Sequence, residues 1–172
     1  MKEVKLAQSF QYLVREYNSL ISKGSLILRV MHNDTKVNNI LFDTISQQSV
    51  CVIDLDTLMP GYFIYDFGDM VRTFVSPVSE EEKDLDKVVF RESMYKALLE
   101  GYQSQMDKSM NAVEKTLAPF SGMMMTYIMA LRMLADFLNG NIYYQITYPE
   151  QNLVRARNQL KLLSLLEQHF KK

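Results

Sequence analysis

The chain has 172 residues, and its composition of 48% hydrophobic and 23% charged residues is typical of one globular domain with its own core, which excludes wholesale disorder. Its formal net charge of −1 gives no electrostatic basis for binding nucleic acid or an anionic membrane, and its single cysteine, Cys51, excludes an internal disulfide. The sequence shows no signal peptide and no apolar run long enough to span a membrane, so we expect a soluble cytoplasmic protein.

The first sixty residues predict one helix followed by short strands. Apolar residues at spacings of three and four predict a helix over 3–22. The residues on its apolar face are Leu6, Phe10, Leu13, Tyr17 and Ile21. Apolar runs at 26–30, 40–42 and 50–53 predict strands, and the last two are expected to form a hairpin through the polar segment 43–49.

The rest of the chain is predicted to be helical, since only 6 glycines and 4 prolines punctuate the sequence. A short helix is expected over 66–74, and a capping-box pattern at 79–82 predicts a helix that runs to about Tyr102. Apolar periodicity predicts a helix over 119–139, and a second capping box at 147–150 precedes the last one. The predicted fold class is therefore mainly α (α+β), with a small β hairpin.

Polar residues that a core would not select surround the hairpin. Asn39 lies five positions after Asp34, and Asp54 follows an apolar strand twenty positions after Asp34. Phosphoryl transfer from a nucleoside triphosphate needs a carboxylate for the acceptor hydroxyl, and a carboxamide and a second carboxylate for Mg²⁺. The loop and the hairpin would bring these chemical groups together, although Asp34 taken alone could simply cap a turn.

The pattern His-x-Asp-x-x-x-x-Asn at 32–39, followed by Ile-Asp after a strand, resembles the C-lobe of the aminoglycoside phosphotransferase and choline kinase-like group, relatives of protein kinases. Longer strings at 32–39, 51–61, 66–72 and 132–159 resemble N-acetylhexosamine 1-kinases. The resemblance implies a protein kinase-like C-lobe, helical with a small hairpin that carries the catalytic loop and the metal-binding Asp. It also implies ATP-dependent phosphorylation, with Mg²⁺, of the anomeric hydroxyl of N-acetylglucosamine or N-acetylgalactosamine.

The resemblance also assigns roles to individual residues. Asp34 would be the catalytic base and would touch the acceptor sugar. The residues implied to hold metal ions, directly or through water, are Asn39, Asp54 and Asp56. The residues implied to contact the sugar are Arg132 and Tyr143. Asp66 would support the catalytic loop from a helix N-terminus, although Asp66-Phe67-Gly68 spells the protein-kinase metal motif. His32 is expected to pack beneath the loop and to hydrogen-bond a backbone carbonyl.

Related kinases carry an N-lobe with a phosphate-covering loop and a strand lysine. The 6 glycines of this chain are isolated, so we expect a single domain, 1–172, that corresponds to the C-lobe alone and is poorly active or inactive by itself. Its catalytic and metal region would be 26–61, and its helical acceptor-binding region 66–172. The surface that an N-lobe would cover should be partly apolar, and self-association through it is one expectation.

Several alternatives stay open at this point. Arg132 could pair with Asp136, four residues on, and Tyr143 could serve packing. Residues expected to be structural or solvated are Cys51 as a buried strand residue, 80–82 as a helix start in solvent, and Arg155 and Arg157 on the outer face of the last helix. The whole chain could instead be a non-catalytic sugar- or partner-binding module, or a kinase for an aminoglycoside or choline. Against choline, the sequence has no Trp for an aromatic cage.

Overall fold

The computed structural model describes residues 1–171, which form seven α-helices and four short strands. The helices are α1 (Lys2–Ser9), α2 (Tyr12–Ser22), α3 (Phe63–Phe74), α4 (Glu92–Met106), α5 (Ala112–Thr116), α6 (Ala118–Leu138) and α7 (Gln151–Phe170). The strands are β1 (Arg29–Met31), β2 (Ile40–Phe42), β3 (Ser49–Val52) and β4 (Met59–Gly61). Within the described part of the chain, every helix is too short or too polar to cross a bilayer.

Helices α3, α6 and α7 form the centre of the core. Apolar side chains at helical spacing on α3 are fully buried, among them Phe67 and Val71. The α3–α6 crossing is close enough that a Cβ on Gly68 would clash with the backbone carbonyl of Ser121, and a Cβ on Gly122 would press on Val71. Small residues are therefore needed on both helices at this crossing.

The strands form two separate two-stranded antiparallel sheets in residues 1–171. The predicted hairpin is confirmed: β2 pairs with β3, and Ile40 lies opposite Val52. The other sheet pairs β1 with β4, so that Arg29 lies opposite Gly61. The sequence does not predict β4, because this strand pairs with β1, about thirty residues away, and no local pattern reveals that partner.

The first residue of β1, Arg29, joins this strand to α5 through a buried ion pair. Arg29 donates from both terminal nitrogens to the two carboxylate oxygens of Glu114, each at 2.8 Å, and Glu114 is fully buried. Burial acts to raise the pKa of Glu114, but Arg29 and the backbone N–H groups of Ile27 and Asn111 outweigh it and hold that pKa below its ordinary value. The strand that leads into the polar loop is thus anchored by a charged pair.

The prediction of one continuous helix over 3–22 is wrong, because the structure has two helices there. The chain leaves the helix at Phe10, and α2 begins at Tyr12. This break lets Phe10 and Leu13 both bury against the core, whereas Leu6 and Ile21, placed on the same face by the prediction, are exposed. The stability gained by burying Phe10 and Leu13 in the core is therefore greater than the stability of one continuous helix with a single apolar face.

The helix predicted to begin at 79–82 is also wrong, since α4 begins only at Glu92. Glu80 and Glu81 form ion pairs with Arg72 and Arg155 instead of starting a helix in solvent. Arg155 is therefore half-buried rather than solvated. These contacts from α3 and α7 hold the segment in a non-helical path.

Two smaller expectations also differ from the structure. Cys51 is exposed rather than buried, because β3 has an open face. The helix predicted after the pattern at 147–150 begins at Gln151, whose side chain accepts the backbone N–H of Thr147 at 2.6 Å. The predicted capping box between Thr147 and Glu150 is wrong, because Glu150 is itself the residue before the helix and makes no side-chain capping hydrogen bond.

Candidate functional site

The loop between β1 and β2 is held from below by one carboxylate. Asp66, in the first turn of α3, accepts the backbone N–H of His32 at 3.0 Å and that of Asn33 at 2.7 Å, one on each oxygen. The Thr35 hydroxyl donates to the Asp66 carbonyl at 2.6 Å. Asn33 has a positive φ of 63°, which turns the chain sharply just before Asp34. Asp66 therefore sets the backbone path that presents Asp34.

His32 joins the same loop to the end of the hairpin. Its ring Nε2 lies 3.0 Å from the carbonyl oxygen of Ile53, and its Nδ1 lies 3.5 Å from the Thr57 hydroxyl. The side chain is buried. His32 thus sits beneath the loop and ties it to the residue that precedes Asp54.

The hairpin register brings Asp34, Asn39 and Asp54 together. Ile40 lies opposite Val52, and the backbone of Asn39 accepts the N–H of Ile53 at 2.9 Å, so Asp54 emerges directly beside Asn39. The Asn39 amide donates to the carboxylates of Asp34 at 2.9 Å and Asp54 at 3.4 Å. This cluster of two carboxylates and one carboxamide comes from two separate chain segments.

Lys36 is the cation of this cluster. Its Nζ lies 2.6 Å from Asp34 Oδ2 and 3.9 Å from Asp54 Oδ2. Asp54 has φ 66° and ψ 49°, a left-handed conformation that costs roughly 1–3 kcal/mol in a residue with a side chain. The Thr57 hydroxyl donates to the Asp54 carbonyl at 3.2 Å and helps to hold that conformation. Backbone strain of this kind is typical of functional sites.

The donor set suits Mg²⁺, which prefers oxygen ligands and takes few of them from the protein. Asp34 and Asp54 offer carboxylate oxygens, and Asn39 offers its Oδ1 if the amide rotates. No group of three or more His, Cys, Asp or Glu side chains within residues 1–171 is arranged to hold a metal, so the carboxamide and phosphate oxygens would have to complete the shell. Asp56 is exposed, and none of the contacts described for residues 1–171 joins it to this cluster.

The two predicted sugar-contacting residues lie together at the end of α6. The Arg132 guanidinium donates to the Tyr143 hydroxyl at 3.3 Å and lies 5.6 Å from the ring centroids of both Tyr143 and Tyr144. The alternative pairing of Arg132 with Asp136 is wrong. The Asp136 carboxylate instead accepts the backbone N–H groups of Tyr143 at 2.8 Å and Tyr144 at 3.0 Å. The structure brings Arg132 to Tyr143, and no described contact brings either to Asp34.

A polar cavity of about 420 Å³ lies between the loop that joins β1 to β2 and α7. The residues that line it are Lys36, Val37, Asn38, Arg72, Thr73, Ser76, Pro77, Val78, Ser79, Glu80, Glu81, Arg155, Asn158 and Gln159. Lys36 belongs both to this wall and to the Asp34 cluster. The cavity therefore adjoins the cluster.

Arg72 and Asp69, both on α3, form a buried ion pair at the cavity wall. Arg72 is buried and donates to Asp69 at 2.5 Å and to Glu80 at 3.0 Å. Burial raises the pKa of Asp69, Arg72 opposes that effect, and the Asp34 carboxylate is near enough to add to it.

Sequence reasoning missed Lys36, Arg72 and the wall at 76–81. The position of Lys36, two residues after Asp34, was an available signal that a cation adjoins that carboxylate. Arg72 and the wall gave no such signal, because their roles depend on contacts with α7 across the fold.

The fold is compatible with a kinase-like phosphotransferase: it is a mainly helical domain that presents a carboxylate, a carboxamide and a second carboxylate on a loop and a hairpin. The family model described as "Phosphotransferase enzyme family" matches residues 6–120. The chain therefore belongs to this phosphotransferase family. The matched segment includes the whole loop between β1 and β2 and α3 but ends at the start of α6, so Arg132, Tyr143 and the α7 wall of the cavity lie outside it.

Proposed function

We propose that this chain carries the phosphoryl-transfer and acceptor-binding region of an ATP-dependent kinase that phosphorylates the anomeric hydroxyl of an N-acetylhexosamine. The observation that supports the proposal best is the meeting of Asp34, Asn39 and Asp54 around one small cluster. Family membership supplies the reaction class. The sugar is supported by the sequence resemblance and by the Arg132–Tyr143 pair.

Asp34 orients the acceptor hydroxyl and accepts its proton as the oxygen attacks the γ-phosphorus of ATP. The O–H bond breaks, the new O–P bond forms, and the bond from phosphorus to the β-phosphate oxygen breaks, which releases ADP. Lys36 and Asn39 both donate to Asp34 Oδ2, so we assign Oδ1 to the acceptor. These donors keep the carboxylate in one orientation before the acceptor arrives.

Asn39 and Asp54 are the residues that would hold Mg²⁺. When bound, the ion neutralises charge on the phosphate oxygens. Lys36 is placed to donate to a phosphate oxygen, because its Nζ already lies between the carboxylates of Asp34 and Asp54. Asp56 is proposed as an outer residue that contacts a second ion through water, since it is two positions beyond Asp54 and exposed.

The reaction can be tested by the identity of its product. The chain is incubated with ATP, Mg²⁺ and, in turn, N-acetylglucosamine, N-acetylgalactosamine, kanamycin and choline, and the products are read by ³¹P NMR. Because the chain is expected to be poorly active by itself, we expect slow formation of a sugar phosphate whose phosphorus is coupled to the anomeric proton. Phosphate on another sugar hydroxyl, or preferential phosphorylation of kanamycin or choline, would contradict the proposed acceptor.

A partner-binding module is the second candidate, because strands β1 and β3 and the turn between β2 and β3 expose apolar side chains. Val30 is 76% exposed, Ile45 92% and Val50 66%. Exposed apolar patches mark interaction surfaces, and self-association is one form this could take. Sedimentation velocity over a range of concentrations tests it, since a monomer at all concentrations would count against self-association through the strands.

A further inference from the structure

We propose that Asp136, on α6, is a positioning residue: its carboxylate holds the segment 140–144 so that Tyr143 stays against Arg132. Asn152, on α7, fixes Asp136 in that role. The inference rests on the proposed function, which assigns Arg132 and Tyr143 to the acceptor, and deepens it by naming the residues that determine how this pair is presented. Neither Asp136 nor Asn152 needs to touch the acceptor, because both are buried.

The segment 140–144 reverses the chain at the end of α6. Gly140 has φ 87° and Asn141 has φ 58°, so two successive residues take the left-handed conformation that turns a chain back along a helix. The backbone N–H of Asn141 donates to the Asp136 carbonyl at 2.7 Å. The residues that follow the reversal therefore lie beside Asp136 rather than beyond the helix.

The Asp136 carboxylate fixes two successive peptide groups of this segment. Its Oδ1 accepts the backbone N–H of Tyr143 at 2.8 Å, and its Oδ2 accepts that of Tyr144 at 3.0 Å. Burial acts to raise the pKa of Asp136, but the backbone N–H groups of Tyr144 and Tyr143 outweigh it and hold that pKa below its ordinary value. Asp66 holds the loop before Asp34 in the same way, with one oxygen for each of two neighbouring N–H groups.

Asn152 joins the carboxylate and the reversal to α7. Its side-chain NH₂ donates to Asp136 Oδ2 at 2.8 Å and to Asn141 Oδ1 at 3.0 Å. The Asn141 amide in turn donates to the carbonyl of Pro149 at 3.1 Å. The amide oxygen of Asn152 is buried and has no hydrogen-bond partner within the described chain, which costs stability. Orientation of Asp136 and Asn141 is therefore what this buried amide contributes.

The Tyr143 side chain depends on its backbone for its position. It is 71% exposed, so packing against the core contributes little to holding it. Arg132, which donates to its hydroxyl at 3.3 Å, is exposed as well. An exposed pair meets a ligand in one geometry only if the surrounding bonds fix it beforehand, and the bonds to the Tyr143 backbone come from Asp136. Loss of that carboxylate should release Tyr143 from Arg132.

A double-mutant cycle tests whether Asp136 acts through Tyr143. Isothermal titration of N-acetylglucosamine into the full chain gives the Kd for the parent, Asp136→Asn, Tyr143→Ala and the double variant. We expect each single variant to raise the Kd about tenfold, and the double variant to bind no more weakly than Tyr143→Ala, because the two residues contribute one shared interaction. The control Asp86→Asn, at an exposed carboxylate, should match the parent.

Hydrogen exchange and a second variant provide readouts that do not depend on Asp136→Asn alone. In Asp136→Asn the amides of Tyr143 and Tyr144 should exchange faster. Asn152→Leu, which removes the bonds to Asp136 and Asn141, should raise the sugar Kd several-fold. Thermal unfolding shows whether each variant is folded at the temperature of the titration.

Three results would overturn the positioning role. They are a double variant whose loss of affinity is the product of the two single losses, roughly a hundredfold, an unchanged Kd or unchanged amide protection in folded Asp136→Asn, and unfolding of both Asp136→Asn and Asn152→Leu, which would make the contacts structural. Failure of the proposed function looks different, because it is seen in the parent chain. A parent that binds kanamycin or choline in preference to the sugar, or binds no sugar, refutes the proposed acceptor and the role of Asp136 with it.

Discussion

Replacement of Asp66 by Asn tests whether one carboxylate sets the backbone path of the loop between β1 and β2. Asp66 accepts two backbone N–H groups, from His32 at 3.0 Å and from Asn33 at 2.7 Å, with one oxygen for each. An asparagine keeps the shape but offers only one acceptor oxygen. Its NH₂ group must then face one of the two N–H donors, and because Asp66 is buried, water cannot readily take over.

The expected loss of folding stability follows from the number of hydrogen bonds to Asp66 that the substitution removes or weakens. One charge-assisted hydrogen bond is worth about 1.5–3 kcal/mol, and the remaining bond weakens once the charge is removed, which gives about 2–4 kcal/mol in total. At roughly 2–4 °C per kcal/mol for a chain of this size, the unfolding midpoint should fall by about 4–16 °C. This is a large fraction of the ~5–15 kcal/mol that stabilises a typical domain.

Urea unfolding followed by circular dichroism measures the loss, and hydrogen exchange of the His32 and Asn33 amides locates it. Asp86→Asn is the control, because Asp86 is exposed and its replacement should change stability by less than about 0.5 kcal/mol. If Asp66→Asn is no more destabilising than the control, or if both amides stay protected, then Asp66 does not organise the loop.

Three further predictions concern packing, charge and metal binding. Gly68→Ala should destabilise by about 1–3 kcal/mol because its Cβ meets backbone on α6, whereas Gly101→Ala, with open space around it, should stabilise by about 0.5–1 kcal/mol; urea unfolding of both variants decides. Glu114→Gln should cost about 3–5 kcal/mol at neutral pH. The folded pKa of Glu114 is lowered, so its contribution is present above the ordinary value of 4.5 and is lost as pH falls through the folded pKa. A gap between parent and variant that stays constant down to pH 3 would contradict this. Asp54→Asn should abolish the broadening of nearby amide signals by Mn²⁺-ATP in NMR spectra, and Asp56→Asn should leave most of it; equal effects would refute the assignment of Asp54.

Local patterns were enough for several parts of the fold and site. The hairpin, α6 and the last helix are predicted by apolar patterns among residues that are only a few positions apart in the sequence. The structure contains all three elements. The sequence also predicts that the side chains of Asp34, Asn39 and Asp54 lie close together, because only a short loop and a hairpin separate these residues along the chain. The structure brings the three side chains together.

What could not be predicted depends on contacts between distant segments. The segment around Glu81 has the local pattern of a helix start, but Arg155, on α7, binds that carboxylate and the segment forms a turn instead. A capping box does form at Asn111 and Glu114, and its Glu114 carboxylate also pairs with Arg29. Long-range ion pairs thus decided both the path of the chain and the wall of the cavity.

The central claim is that Asp34 takes the proton of the acceptor during phosphoryl transfer. The most direct measurement is the rate of transfer from ATP to N-acetylglucosamine by the parent chain and by Asp34→Asn, with the sugar Kd measured on the same samples. We predict a kcat at least about 10²–10⁴-fold lower in the variant with a sugar Kd within a few-fold of the parent. A variant that keeps the kcat of the parent would contradict the claim.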